Sequence, residues 1–257
     1  MFKNAKILAG LTGLVAGIFA ILPVSRFQLR FKDRVAAAHI LANILKSRFN
    51  CTAIDKNSSN KHDIIVLGIP RGGVVIADVV ARKLSADFDF IISKKIRSPD
   101  NKEDAIGAVT EDGTTYIDQK IAKRLNISRN YIEKEKSYQM EEIKRTLAIY
   151  SSSKEAERHS KIIGNTVILA DDGAATGATL ITAARWIRKQ QPKGLIISVP
   201  IAPRQTANLL KDEADAVEVI TSPYCSNFTS VEQFYQDFSP VTDDQVIEIM
   251  MNRGSYL

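Results

Sequence analysis

Apolar positions change their spacing along the chain in a way that marks helices and strands in alternation. Ile7 to Val24 is an 18-residue run without charge, and Thr12 is its only polar side chain. From Asp33 to Phe49 the apolar residues Ala37, Leu41, Ile44 and Leu45 recur at helical spacing and predict one amphipathic helix. Residues 55–61 are a polar loop. Ile64–Leu67 is a short β-branched run that predicts a buried parallel strand. Val74–Leu84 reads as a helix, Phe88–Ile92 as a second strand, and Ser98–Asp104 as a polar loop. Ala105–Thr110 and Thr114–Ile117 flank Glu111-Asp112-Gly113 and predict a β-hairpin.

The second half repeats the alternation. Ser128–Tyr150 predicts a long surface helix with a stripe of Met140, Ile143, Leu147 and Tyr150, and Glu141 is expected to pair with Arg145 one turn on. Ser151–Lys154 is expected to end it. Thr166–Ala170 is a strand, followed by a helix through Trp186. Leu195–Val199 is a strand, Pro203 opens a helix to about Lys211 at a favoured first position, and Ala216–Ile220 is the last strand. Thr242 and Gln245 form a capping-box pattern for a final helix. The fold class expected is α/β, a doubly wound and mainly parallel sheet. It carries a β-hairpin flap, an inserted long helix and an N-terminal apolar helix, with ligands at the C-terminal strand ends.

Composition narrows the class. Apolar residues at 45% and charged residues at 25% are ordinary for a folded domain, so collagen-like and disordered classes are excluded. Two cysteines, Cys51 and Cys225, exclude a disulfide-rich scaffold and a four-cysteine metal site. A net charge of +6 suits a phosphorylated ligand or an anionic surface, and is too weak to argue for nucleic acid. The basic residues of Lys120–Arg145 are interleaved with acids and read as a solvated helix face rather than an RNA surface.

The N-terminal run admits three readings. It reaches the lower limit for a membrane-spanning helix. It also admits a cleaved signal peptide with a weak site at Ile18-Phe19-Ala20, or a packed N-terminal helix. The heavier basic flank, Arg26 to Arg34, lies C-terminal. An anchored protein would then keep its main domain, residues 26–257, in the cytoplasm, with residues 1–25 as a membrane anchor.

The most informative stretch is Val167 to Thr179. A buried strand delivers two adjacent carboxylates, Asp171 and Asp172. The small-residue loop Gly173, Ala174, Ala175, Thr176, Gly177, Ala178 and Thr179 then leads into a helix. Small residues let backbone approach an anion, the first helical N–H groups are unpaired, and two threonines add hydroxyl donors. That pocket suits a monophosphate. The two acids cannot share the phosphate and suit what lies beside it, either ribose hydroxyls or a divalent cation. The plainer alternative is a turn in which one Asp caps the helix.

This stretch resembles the 5-phosphoribosyl 1-diphosphate (PRPP) signature of type I phosphoribosyltransferases. The resemblance implies that Asp171 and Asp172 bind the ribose 2′- and 3′-hydroxyls and that Gly173–Thr179 binds the 5′-phosphate. Hypoxanthine-guanine enzymes carry an Asp where this chain has Ala175, so purine-type proton chemistry from this loop is unsupported. Phe31 to Phe238 is also similar to a less-characterised branch of the family, through Pro70-Arg-Gly-Gly-Val74, Lys95, Ala105–Val109, Val199–Pro203 and Tyr235-Gln-Asp-Phe238.

Gly68–Val74 follows the first strand and opens a helix. Its glycines permit close backbone approach, and Arg71 offers a forked donor set. By itself it reads equally as a strand–helix turn. The resemblance implies a pyrophosphate loop of Pro70, Arg71, Gly72 and Gly73, with Lys94 beside it. Lys94, Lys95 and Arg97 read either as a solvated edge or as a cationic wall around a polyphosphorylated ligand. The segment to Ala105 and the hairpin resemble the family's closing loop, which would exclude water.

Phe228, Phe234, Tyr235 and Phe238 lie close together. They read either as aromatics packed on the core or as a hood on which a base stacks, with Phe228, Phe234 and Tyr235 as base-binding candidates. His39, His62 and His159 show no metal-ligand spacing. The expected activity is transfer of 5-phosphoribosyl from PRPP to a nitrogenous base with release of pyrophosphate. Asp171, Asp172, Arg71 and Lys95 would be catalytic, and Mg²⁺ would be held through the substrate rather than by direct protein ligands. The alternative is a PRPP- or nucleotide-sensing module on the same fold. A homodimer is left open.

Overall fold

The computed structural model describes residues 30–51, 63–100, 105–150 and 161–254. The apolar run 7–24 with its three readings, the loop 55–61, positions 101–104 and Ser151–Lys154 lie outside the described residues. Among those described, no helix is long and apolar enough to cross a membrane.

The chain opens on α1 (Arg34–Cys51), followed by β1 (Ile64–Gly68), α2 (Gly72–Leu84) and β2 (Asp87–Phe90). An antiparallel unit comes next, β3 (Ser93–Arg97), β4 (Ala105–Thr110) and β5 (Thr115–Ile117), then α3 (Gln119–Arg124) and α4 (Arg129–Tyr150). The main sheet resumes with β6 (Thr166–Ala170), α5 (Ala178–Lys189), β7 (Gly194–Ile201), α6 (Arg204–Lys211) and β8 (Ala216–Thr221), before the closing helix α7 (Asp243–Gly254).

The main sheet has the order β2-β1-β6-β7-β8, and every pair in it is parallel. Its inner strands β1, β6 and β7 are buried on both faces, which are both covered. Along β6, Val167 and Leu169 pack with Leu180 and Trp186 of α5 and Leu210 of α6. The alternate residues Ile168 and Ala170 pack with Leu41 and Leu45 of α1 and Ile76 and Val80 of α2. This is the doubly wound arrangement expected. Strand order reverses between β1 and β6, so the crevice at their C-terminal ends is the topological switch point where ligands of such sheets bind.

Helix α1 begins where Asp33 accepts the Ala36 amide at 2.8 Å, a side-chain N-cap. Arg48 of α1 pairs with Glu218 of β8 and ties the helix to the far edge of the sheet. The capping box of α7 forms reciprocally: the Thr242 amide donates to Gln245 Oε1 at 2.9 Å and the Gln245 amide to Thr242 Oγ1 at 3.2 Å.

Two local expectations need correction, and two elements add to the sequence reading. Ser93–Arg97 is a strand, paired antiparallel with β4 from Ser93 opposite Thr110. Asp118 accepts the amides of Lys120 and Ile121 and starts the short helix α3. Glu141 pairs with Lys144 at 2.8 Å, and Arg145 with Glu142; the i+3 neighbours are as close as the i+4 one. Pro203 stands one residue before α6, at its N-cap.

The hairpin is packed on both sides. All six residues of β4 are buried. Ile106 and Val109 join Ile143 and Tyr150 of α4 and Val246 of α7 in a third apolar cluster. On the other side Lys189 of α5 donates to Thr114 Oγ1 at 2.6 Å and pairs with Asp112 at 3.2 Å.

Candidate functional site

β1 and β6 run in register to their ends, with Gly68 opposite Ala170. The Ile69 amide donates to the Ala170 carbonyl at 3.1 Å. The two loops that follow therefore start side by side. Each leads into a helix whose N-cap residue makes no side-chain cap bond, Arg71 for α2 and Gly177 for α5; the Ala178 amide reaches only Thr176 Oγ1, at 3.4 Å. Both positive helix ends open at the same crevice.

The two glycines of the first loop meet the two acids of the second one to one. A Cβ on Gly72 would lie 1.9 Å from Asp172 Oδ2. A Cβ on Gly73 would lie 2.8 Å from the Ala170 carbonyl and 2.9 Å from Asp171 Oδ1. Only glycine permits this approach. The Pro70–Arg71 peptide is cis, Pro70 is half-buried and Arg71 is exposed.

The acids differ in their partners. Asp171 Oδ1 accepts the Asp172 amide at 2.9 Å. Asp172 Oδ2 accepts from Arg34 Nε at 2.7 Å, in a pair whose side chains are 11% and 17% exposed. Burial, then the charge of Asp172, raises the Asp171 carboxyl well above the usual carboxylate range, against the pull of Lys95 and Arg34. Burial also raises Asp172, and Arg34 and Lys95 oppose it. The charge of Lys95 thus acts on both acids. Lys94, on the opposite side of β3, sits with Arg71. Its ammonium is lowered by burial and by Arg71 and Arg97, against the attraction of Glu142 and Asp243.

The second loop is braced from behind. The Ala174 amide donates to the Ile201 carbonyl at 2.8 Å, and Thr206 Oγ1 donates to the Ala175 carbonyl at 2.6 Å. Val231 fills the space in front of Gly173. Gly177 is left-handed, at φ 78°, and turns the chain into α5. Thr176 is exposed and Thr179 half-buried. Among the described residues, no group of three or more His, Cys, Asp or Glu converges on a metal position.

Of the two aromatic readings, packing on the core holds for Phe234 and Tyr235, and the base-binding one is corrected for them. Phe234 and Tyr235 are each 1% exposed and belong to the core beneath α1. Phe228 is half-buried and stacks on Phe234, with ring centroids 6.0 Å apart. The rings of Phe234 and Tyr235, so enclosed, have no face for a base. Tyr235 instead donates its hydroxyl to the Asp172 carbonyl at 2.7 Å. Burial, then the charge of Asp172, pushes its phenol far up.

The structure thus brings Gly72 and Gly73 against Asp172 and Asp171, with Arg71 next in the chain, Lys95 close enough to act on both acids through its charge, Lys94 likewise on the Arg71 side, and Gly173–Thr179 leading away. Sequence reasoning missed Arg34. An N-cap at Asp33 was a signal for a helix start there, but nothing in the sequence relates residue 34 to residue 172.

The sequence family described as the phosphoribosyl transferase domain matches residues 39–239. Two proteins of Mycobacterium tuberculosis, from strains CDC 1551 and H37Rv, each named "Putative phosphoribosyl transferase", are 28% identical over 187 residues. That alignment covers 73% of this chain and 41% of theirs, so the chain spans about two fifths of the length of these relatives. The crystal structure of TT1426 from Thermus thermophilus superposes with a TM-score of 0.62 at 31% identity, over 87% of this chain and 99% of that one. The matched stretch takes in both loops and the whole parallel sheet, and the chain belongs to the phosphoribosyl transferase domain family.

Proposed function

We propose that this chain binds PRPP in the crevice between β1 and β6 and transfers its phosphoribosyl group to a nitrogenous base, releasing pyrophosphate. The observation that carries this reading is the contact of Gly72 and Gly73 with Asp172 and Asp171. It brings a cationic loop and an acidic pair to a single point, as a ligand with a diphosphate on C1 and a diol on the adjacent carbons requires.

In this reading the carboxylates of Asp171 and Asp172 accept the ribose hydroxyls. Gly173–Thr179 and the N-terminus of α5 hold the 5′-phosphate. Pro70, Arg71, Gly72, Gly73 and Lys94 hold the diphosphate. The bond from C1 to the diphosphate oxygen breaks and its electron pair leaves with pyrophosphate. A ring nitrogen forms the new bond to C1, and the proton it sheds passes to solvent. Most of the acceleration comes from holding the reactants in line and from cations aimed at the departing charge, Arg71 first. Lys95 offsets the negative charge of the acidic pair. Two carboxylates beside a diphosphate suit Mg²⁺, which keeps few protein ligands and uses phosphate oxygens. With the substrate bound, Asp171 and Asp172 would stand beside such an ion, whose contribution would be charge neutralisation at the leaving group.

Titration calorimetry of the full chain with PRPP, with and without Mg²⁺, tests the ligand. The expected result is Mg²⁺-dependent binding that Asp171→Asn/Asp172→Asn abolishes. Pyrophosphate release over a panel of bases then tests transfer. A folded wild type that ignores PRPP overturns the proposal. Binding without release for any base assigns the sensing role instead.

A further inference from the structure

Asp172 is held by more than its own loop. Arg34, the first residue of α1, spends Nε on Asp172 Oδ2 at 2.7 Å. Its Nη1 donates to the Ser239 carbonyl at 2.8 Å. The guanidinium carbon lies 3.8 Å from the centroid of the Phe238 ring, within cation–π range. Tyr235 holds the Asp172 carbonyl from the same C-terminal segment. Asp171 has no such clamp: among the described residues no side-chain cation is within ion-pair distance of it. Arg34 also lies outside the stretch matched to the family, which begins at residue 39.

We propose that Arg34 is a positioning residue that divides the acidic pair, committing Oδ2 of Asp172 to the guanidinium and leaving Oδ1 of Asp172 and the carboxylate of Asp171 to the ligand diol. The argument is geometric. A carboxylate with one oxygen in a buried charge-assisted hydrogen bond has a fixed plane, and its second oxygen points in one direction. The guanidinium is fixed in turn by the ring beneath it and by the Ser239 carbonyl. Gly72 removes the last obstruction, since a Cβ there would meet both Asp172 Oδ2 and, at 2.9 Å, Arg34 Nε. Lysine cannot reproduce the arrangement, because a single ammonium lacks the planar fork.

This inference rests on the PRPP reading. Its test uses three probes: PRPP, ribose 5-phosphate and inorganic pyrophosphate, titrated with Mg²⁺ into the full chain. Ribose 5-phosphate needs the acidic pair, and pyrophosphate needs only the first loop. Arg34→Gln is expected to weaken PRPP and ribose 5-phosphate by about tenfold or more and to leave pyrophosphate unchanged, with Arg34→Lys little better than Gln. Phe238→Leu, which keeps the guanidinium and removes the ring beneath it, should give the same selective loss in smaller measure, and serves if the Arg34 variants do not fold. Equal weakening of all three probes would make Arg34 merely structural and overturn the proposal. Unchanged or tighter ribose 5-phosphate binding by Arg34→Gln would overturn it too, the latter by making Arg34 a competitor of the ligand. A wild type that ignores PRPP fails the underlying reading, a result separable from every outcome among the variants.

Discussion

Gly72 sits so close to Asp172 that a single added carbon would stand 1.9 Å from Oδ2 of the carboxylate. The glycine belongs to one loop and the acid to another, one hundred residues away in the chain. Gly72→Ala must therefore push the carboxylate off Arg34. Gly73→Ala meets backbone, at the Ala170 carbonyl and the Asp171 Cα, and has less freedom to relax. We expect both to lose PRPP binding. Gly73→Ala should also cost about 1–3 kcal/mol of stability, the range for overpacking, and Gly72→Ala less. Urea unfolding of the unliganded chain, set beside the calorimetry, checks the order.

Asp171 should lower the stability of the free protein. Burial and the neighbouring Asp172 raise its carboxyl, so the folded state binds the proton more tightly than the unfolded one. The cost is absent below the unfolded value of about 4. It grows as pH rises above that value and levels off beyond the raised folded one. Asp171→Asn keeps an oxygen for the Asp172 amide and removes the charge. Its denaturation midpoint at pH 7 should exceed that of wild type, its decline between about pH 4 and pH 7 should be shallower, and its PRPP affinity should be lost. An undiminished decline in the variant would contradict the assignment.

Lys94 makes a parallel case with the opposite charge. Burial lowers its ammonium, and Arg71 and Arg97 add to the shift while Glu142 and Asp243 oppose it. For a lysine lowered on folding, stability rises with pH as the unfolded-state amine approaches its own titration near about 10.4. Lys94→Met should raise the thermal midpoint of the unliganded chain at pH 7 and weaken pyrophosphate binding. Pyrophosphate should stabilise the wild type much more than this variant in a thermal melt.

Tyr235→Phe removes one oxygen from the core and leaves the Asp172 carbonyl without its 2.7 Å donor. A loss of about 1–3 kcal/mol is expected. Because the ring is enclosed by Phe31 at 5.5 Å and Phe238 at 4.9 Å, the discrimination among acceptor bases should not move. A change in base preference without a change in stability would restore the stacking role that burial argues against.

Most of the parallel sheet was legible because its strands are buried on both faces. Val167 to Ala170 is continuous apolar sequence between a polar start and two acids, and no other element suits it. The capping box at Thr242 and Gln245 was legible for the opposite reason, since it is wholly local. Strand β3 was not. Ser93-Lys-Lys-Ile-Arg97 has one apolar side chain, and its strand character comes from pairing with β4 across the hairpin. The aromatic segment left two readings open for a related reason. Phe234 and Tyr235 are adjacent, so a regular strand would send one outward. The short 3-10 turn Glu232–Phe234 ends in an extended Tyr235, at φ −117° and ψ 147°, and both rings enter the same core. The acids and glycines of the site were named correctly as types. Their one-to-one contact, and the clamp from Arg34, exist only in the tertiary register.

The segment that holds Arg34 is stitched to the far end of the chain. The Phe31 amide donates to the Phe234 carbonyl at 2.7 Å, the Gln236 amide to Phe31 at 2.8 Å and the Asp237 amide to Lys32 at 2.9 Å. During synthesis, β1, β6 and both loops emerge before any of these bonds is available. A nascent chain that has just exposed Thr179 therefore holds every group of the crevice and lacks the brace that orients it. Assembly of the crevice becomes one of the last folding events, dependent on contacts across more than two hundred residues, the class that forms slowest. A chain stopped before Phe238 would retain both signature loops in sequence and should bind ligand poorly, because the strap that braces Arg34 and Asp172 follows both loops in the chain.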